Sequence, residues 1–285
     1  MTNVSHVYRK IFGKKPEIKI SYSQISNWIE CPHLHYLISV AKKIPYISNE
    51  WTVTGTALHE ASQWALLKNA LGEPFEDKDV QEVYLKVIKR ELDLAKSEGA
   101  ELDPDLFLEK ASNLKEMVLD FFHKFKKEYG DFELIDIEYE INTLVPFIEF
   151  EEFDVRFIGY IDIVIKCGDL YYLIDLKTTN KGWSSWVLEN KKSKTFQLLT
   201  YMIFYSLLND IPMSKLRASY MFFRHEDREI YSTDISYTEK DLTELQRAMK
   251  SLCYSAYISH KYPRVKGCKE EYCDCKKYYD SINKA

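Results

Sequence analysis

The sequence predicts an α/β fold, with an α/β core preceded by a helical elaboration. Three observations predict it. Apolar residues recur at helical spacing up to about residue 130. The period switches to alternation after Asp131. A later helix then separates this first group of strands from a second. With 285 residues, 46% of them hydrophobic, the chain can bury a sizeable core. No repeat or low-complexity linker divides it. Residues 1–20 read as a basic lead-in and 21–285 as one domain. That domain has a helical part over 21–130, an α/β core over 131–260 and a cysteine-containing tail over 261–285.

The elements follow in order. "SYSQISNWIECPHLHYLISV" reads as a helix capped by Ser21 or Ser23, with Ile25, Trp28, Ile29 and Leu37 at helical spacing. Pro32 has no N–H to donate and kinks or breaks it. "TGTALHEASQWALL" is the next helix, opening near Gly55. Two longer amphipathic helices, 76–98 and 104–129, flank "EGAELDPD". "FELIDIEYEINTLV" and "FIEFEEFDVRFIGYIDIVIK" then alternate as half-buried strands do. The tight turn "CGD", Cys167 to Asp169, joins "YIDIVIK" to "LYYLIDLKT" as a hairpin. A helix of about Thr195 to Leu208, strands "LRASYMFFR" and "EIYSTDISY", and a long helix over about 238–260 complete the core.

The formal net charge of −5 excludes a uniformly basic nucleic-acid coat. It is compatible with a local basic groove, because acidic metal ligands offset lysines. Lys191, Lys192 and Lys194, with Lys181 nearby, form the strongest positive run and are candidate DNA contacts; a solvated helix start is the plainer reading. The 21 tyrosines could stack on bases, although packing accounts for most of them. No apolar run approaches a membrane span and no signal-type stretch opens the chain, so a soluble cytoplasmic protein is expected. The six cysteines are then thiols or metal ligands rather than disulfides.

The chemistry centres on the hairpin. Alternate residues share a strand face, so Leu173, Asp175 and Lys177 point one way and Ile174 and Leu176 the other. Asp162 sits among Ile161, Ile163 and Ile165 on the preceding strand. Paired strands would bring Asp162 and Asp175 together, where they repel unless positive charge intervenes. A cross-strand Asp–Lys pair on a solvated edge is the simpler alternative. Two aspartates in apolar strands, with a lysine two residues on, favour a hard divalent ion such as Mg²⁺ or Mn²⁺. The lysine could then orient an attacking water and offset charge in a phosphoryl transition state.

"GYIDIVIK…YYLIDLKTT" resembles the D-x(n)-D-x-K core of the PD-(D/E)XK nuclease superfamily. Asp162 stands at the first acidic position, Asp175 at the second and Lys177 at the lysine. "QLLTY", with Gln197 and Tyr201 one helical turn apart, resembles the Q-x-x-x-Y motif of the RecB-like branch. "TGTALHEA" resembles that branch's G-x-x-x-H, from Gly55 to His59. Cys31-Pro32 and Tyr36 match its N-terminal pattern. The matches span about residues 21 to 201.

The resemblance implies a restriction-endonuclease-like core, a central mixed sheet flanked by helices. It implies Mg²⁺ or Mn²⁺ held by His59, Asp162, Asp175 and the Leu176 backbone carbonyl. Lys177 would assist the water, and Gln197 and Tyr201 would position DNA or the lysine. An upstream glutamate sometimes joins such sites, and spacing does not choose between Glu138 and Glu140. Relatives, including CRISPR adaptation nucleases and AddB-type subunits, often carry a [4Fe–4S] cluster. Cys31, Cys268, Cys273 and Cys275 supply four thiolates, in a C-x4-C-x-C tail that departs from the family spacing. Zinc and unliganded thiols are the other readings.

The expected function is a metal-dependent DNA nuclease, in the first instance an exonuclease, in phage or bacterial replication, recombination or repair. No nucleotide-binding G-x-x-x-x-G-K-[ST] loop is present, so a motor would have to be a partner. Expected partners are DNA, as single strands or duplex ends, and a recruiting helicase, recombinase or integrase. The alternatives are a nuclease fold kept only for nucleic-acid binding, and a CRISPR-type spacer-processing nuclease.

Overall fold

The computed structural model describes residues 15–180, 192–264, 275, 278 and 279. Among these, one mixed six-stranded sheet contains β1 (Glu17–Ile20), β2 (Glu133–Leu144), β3 (Asp154–Cys167), β4 (Leu170–Thr179), β5 (Leu216–Arg224) and β6 (Glu229–Asp234). The helices are α1 (Tyr22–Glu30), α2 (Pro32–His35), α3 (Glu50–Ala70), α4 (Asp77–Ser97), α5 (Pro104–Tyr129), α6 (Lys192–Asn209) and α7 (Glu239–Tyr254). None is long and apolar enough to cross a membrane.

Helices cover both faces of the sheet. On one side Ile25 of α1, Phe196 and Leu199 of α6 and Leu245 of α7 pack with Leu173 and Phe222. On the other, Leu58 of α3, Val87 of α4 and Phe121 of α5 pack with Ile174 and Leu176. Burying each such side chain stabilises the fold by roughly 1.5–3 kcal/mol. The central strands are therefore dry on both faces, which is why "IDIVIK" and "YYLIDL" read as near-continuous apolar runs.

Local chemistry sets the helix ends. Asn49 caps α3, accepting from Trp51 N at 3.0 Å and Thr52 N at 3.1 Å, while Thr52 Oγ1 accepts from Asn49 N at 2.7 Å. The helix therefore opens at Glu50 rather than near Gly55, which sits in its second turn. Pro32 separates α1 from the short α2, as a missing N–H requires. The last helix stops at Tyr254 and continues only as a wider turn over Ser255–Ser259, short of the expected 260. The end of the lead-in is a strand: β1 runs parallel to β3, from Glu17 beside Asp154 to Ile20 beside Phe157. Four residues are too few for alternation to register in the sequence.

The pairing of β3 makes a fork. One edge pairs with β2 over most of its length. The other pairs first with β1 as far as Phe157, and then with β4 only from Ile163 onward. Between these, on that edge, residues 158–162 have no strand partner among the described residues. β4 continues to Thr179 beside β5 alone. Asp162 stands at the base of this opening.

Candidate active site

Both strands behind the fork turn over at one level. On β3, Ile163 and Ile165 pack toward α3–α5, yet Ile161 packs on the opposite side. On β2, Ile137 and Tyr139 divide in the same way. Simple alternation would put each pair on one face. Between them Glu138 takes a left-handed backbone, φ 55, which costs a non-glycine residue roughly 1–3 kcal/mol. The slip frees Asp162 from both cores and sends its carboxylate into the fork. Asp162 Oδ2 accepts from the Leu176 backbone N–H at 2.7 Å and stands 3.4 Å from His59 Nδ1. The carboxylate thus takes the place that a strand partner would have beside β4.

Asp175 approaches from β4. Its Oδ1 accepts from Gln197 Nε2 at 2.8 Å, and Oδ2 faces Lys177 Nζ at 2.6 Å. This second oxygen is buried, and the lysine ammonium is its one partner among the described residues, a charge-assisted contact. Gln197 Nε2 also reaches Tyr201 Oη at 3.2 Å, and Tyr220 Oη, which donates to the Lys194 carbonyl at 2.5 Å, stands 3.4 Å from Gln197 Oε1. Gln197 therefore orients Asp175 directly. Tyr201 is buried against the Gly159 backbone, where an added Cβ would come within 3.2 Å of its ring and 2.9 Å of Phe157. Glycine is what lets that tyrosine ring come so close to β3.

Helix α3 brings the histidine. A Cβ on Gly55 would meet Thr178 Oγ1 at 3.2 Å, so glycine allows the helix to settle onto the end of β4. His59, one turn on, then reaches Asp162. Gln63, a further turn along, donates from Nε2 to Glu138 Oε1 at 2.5 Å and to the Asp162 backbone carbonyl at 3.3 Å. Glu138, rather than Glu140, thus faces the site; Glu140 accepts from Asn142 instead. The motifs of the sequence do not single out Gln63. Its only sequence signal is its place one turn after His59.

Burial governs the electrostatics. It pushes the Asp162 carboxyl up to about 7, against the pull of Lys177. It pushes Asp175 up to about 6, with Lys177 again opposing and Asp162 adding to the rise. Burial, then Lys177, lowers His59 to about 4, so its imidazole is neutral at pH 7. Burial opposes the charge on Lys177, but Asp175 and Asp162 outweigh it and the ammonium is held charged. Neutral imidazole and buried carboxylates make a donor set suited to a divalent cation, which would offset the burial that raises both aspartates and the lesser repulsion from their acidic neighbours. Among the described residues no three His, Cys, Asp or Glu side chains are gathered into a ready cage. Lys177 supplies the charge balance in this arrangement.

The remaining sequence candidates lie elsewhere. Lys192 Nζ pairs with Asp241 on α7, and Lys181 and Lys191 lie outside the described residues. Cys31 and Cys275 are buried in one cluster with Leu34 and Leu37, while Cys268 and Cys273 also lie outside the described residues. Near that cluster His33 Nε2 and Tyr279 Oη are 2.8 Å apart, so the tail reaches α2.

The family model for the PD-(D/E)XK nuclease superfamily matches residues 19–278. No curated protein matches the sequence. Among solved structures, a "Putative exonuclease" from Eubacterium rectale superposes with a TM-score of 0.58 at 11% identity, covering 97% of this chain and 90% of that one. At that identity the likeness is one of fold. A protein described as SSO0001 reaches a TM-score of 0.41 at 12% identity, over 98% of this chain and 91% of that one.

Proposed function

The chain belongs to the PD-(D/E)XK nuclease superfamily, and from that premise we propose that it hydrolyses DNA with Mg²⁺ or Mn²⁺, acting from strand ends. The observation that carries this is the convergence of Asp162, Asp175, Lys177 and neutral His59 in the fork of the sheet. Gly55 under His59 and Gln197 beside Tyr201 support assignment to the RecB-like branch. The "Putative exonuclease" of similar fold supports action on ends.

His59, Asp162, Asp175 and the Leu176 carbonyl would hold the cation. When bound, the cation would polarise the scissile phosphate and lower the pKa of a water. Lys177 keeps its proton and offsets negative charge as water adds to phosphorus and gives up a proton to solvent, while the P–O3′ bond breaks and the 3′-oxygen leaves as a hydroxyl after taking a proton from solvent, with a 5′-phosphate as the other product. Gln197 keeps Asp175 turned toward the site. The helices on both faces exclude water from behind it. A cytoplasmic setting in replication, recombination or repair, with a helicase, recombinase or integrase as recruiting partner, fits a chain of this kind.

Cleavage of end-labelled linear DNA and of closed circles, with Mn²⁺ present, tests the reading. Wild type is expected to shorten linear DNA and spare circles. Asp175→Asn is expected to be slower by at least roughly 10²–10³-fold, the scale of losing one transition-state contact. Circles cut as fast as ends would remove the exonuclease assignment. DNA bound but never cut would favour a binding module.

The meeting of Cys31 and Cys275 supports a second part of the proposal. With Cys268 and Cys273 they would hold a [4Fe–4S] cluster that pins the tail to α2. Protein purified without oxygen should then show visible charge-transfer absorbance, abolished by Cys31→Ala. Colourless protein with bound zinc would select the zinc site, and colourless, metal-free protein would end both.

A further inference from the structure

We propose that Gln63 is a positioning residue that aims the carboxylates of the fork, acting through Glu138 and Asp162 rather than on substrate; the inference rests on the nuclease reading above. Gln63 follows His59 by one helical turn, so both project from the same face of α3. It is 6% exposed. One amide nitrogen donates to the Glu138 carboxylate at 2.5 Å and to the Asp162 carbonyl at 3.3 Å. Both partners can only accept, so the nitrogen rather than the oxygen of the amide must face them.

The two bonds land on β2 and β3 at the level where each strand swaps faces. There Glu138 has φ 55, a backbone state that persists only when neighbours impose it. Gln63 is such a neighbour. It ties the strained residue to the residue opposite, so the slip that releases the Asp162 carboxylate occurs at one fixed level. The chemical type matters as well. A lysine could donate to the same oxygens, but its charge would cancel the pull of Glu138 and Asp162 on a cation. A neutral amide holds the geometry and leaves the negative charge in place. An aliphatic side chain would hold neither strand, and Glu138 could relax and carry the fork with it.

Wild type, Gln63→Met and Gln63→Lys test this. Mn²⁺ affinity is read by calorimetry without DNA, thermal midpoint in EDTA, and kcat and KM on linear DNA. Gln63→Met is expected to weaken Mn²⁺ binding about 10–100-fold, the scale for partners that orient metal ligands, and to lower kcat with KM for DNA unchanged. Gln63→Lys is expected to keep a thermal midpoint near wild type yet bind Mn²⁺ at least about 10-fold more weakly. Wild-type Mn²⁺ affinity in Gln63→Met overturns the proposal. If that variant does not fold, wild-type affinity in Gln63→Lys overturns it. A wild type that neither binds Mn²⁺ nor cuts DNA overturns the nuclease reading first and this inference with it.

Discussion

Lys177→Met is expected to abolish DNA cleavage and to destabilise the fold by about 3–5 kcal/mol, the cost of stripping one partner from a buried ion pair. Methionine keeps most of the stem and removes the charge. Asp175 is only 3% exposed at its side chain, and its Oδ2 faces Lys177 Nζ at 2.6 Å. Asp162, 14% exposed, lies in the same neighbourhood and raises Asp175 further. Without the ammonium, two carboxylates with Glu138 beside them face, among the described residues, neutral His59 and amide donors. Protonation would then relieve the strain, so the loss should be largest at alkaline pH and small near pH 5. Thermal midpoints of both proteins at pH 5 and pH 8 check this. Mn²⁺ should restore much of the midpoint at pH 8 without restoring cleavage, because a cation can replace the charge but not the role proposed for the lysine at the reacting phosphate. Equal midpoints for variant and wild type at pH 8 would show that the pair does not hold the site together.

The second large effect is a linkage between metal, protons and stability. In the folded chain Asp162 titrates near 7 and Asp175 near 6, both raised by burial from the ordinary carboxylate range. A carboxyl raised on folding holds its proton longer in the native state than in the unfolded state. Its stabilisation is complete below about pH 4 and is lost as pH rises through the folded value. Metal-free protein should therefore lose stability between about pH 4 and 7 through these two groups. A divalent cation binds the deprotonated pair, so its stabilisation should grow over the same interval, with protons released on binding. Thermal midpoints in EDTA and in excess Mn²⁺ should diverge steadily from pH 5 to pH 8. Parallel curves would mean that the cation does not bind at these aspartates. His59, lowered to about 4, acts in the opposite sense: it stays neutral in the folded chain over this range but takes up a proton in the unfolded chain below about pH 6.5, so it gains stability as pH rises and offsets part of the aspartates' loss.

Much of the site was legible before the fold was known. A D-x-K on an apolar strand, a turn, and an aspartate thirteen residues upstream are local features that a hairpin translates directly into space. The strand "LRASYMFFR" runs over Leu216–Arg224 as expected, because an aromatic-rich apolar run is bounded there by polar turn segments. Helix ends were less legible. Gly55 looked like a helix start, whereas Asn49 and Thr52 cap the helix and the glycine serves contact with Thr178. Strand β1 went unseen because its pairing, rather than its own pattern, makes it a strand.

Residue types and their spacing along the chain were enough to name the acids, the lysine, the histidine and the Gln–Tyr pair, since periods of two and of about four residues are local geometry. Only the tertiary structure decided how they meet. It put the gap in β3 between β1 and β4, turned two strands over at Glu138 and Asp162, and chose Glu138 over Glu140. Gln63 lies 75 residues from Glu138 and 99 from Asp162. No local period reports contacts across such separations. They exist because burying both faces of the sheet brings α3 down onto β4, and an amide on its inner face then meets acceptors on β2 and β3.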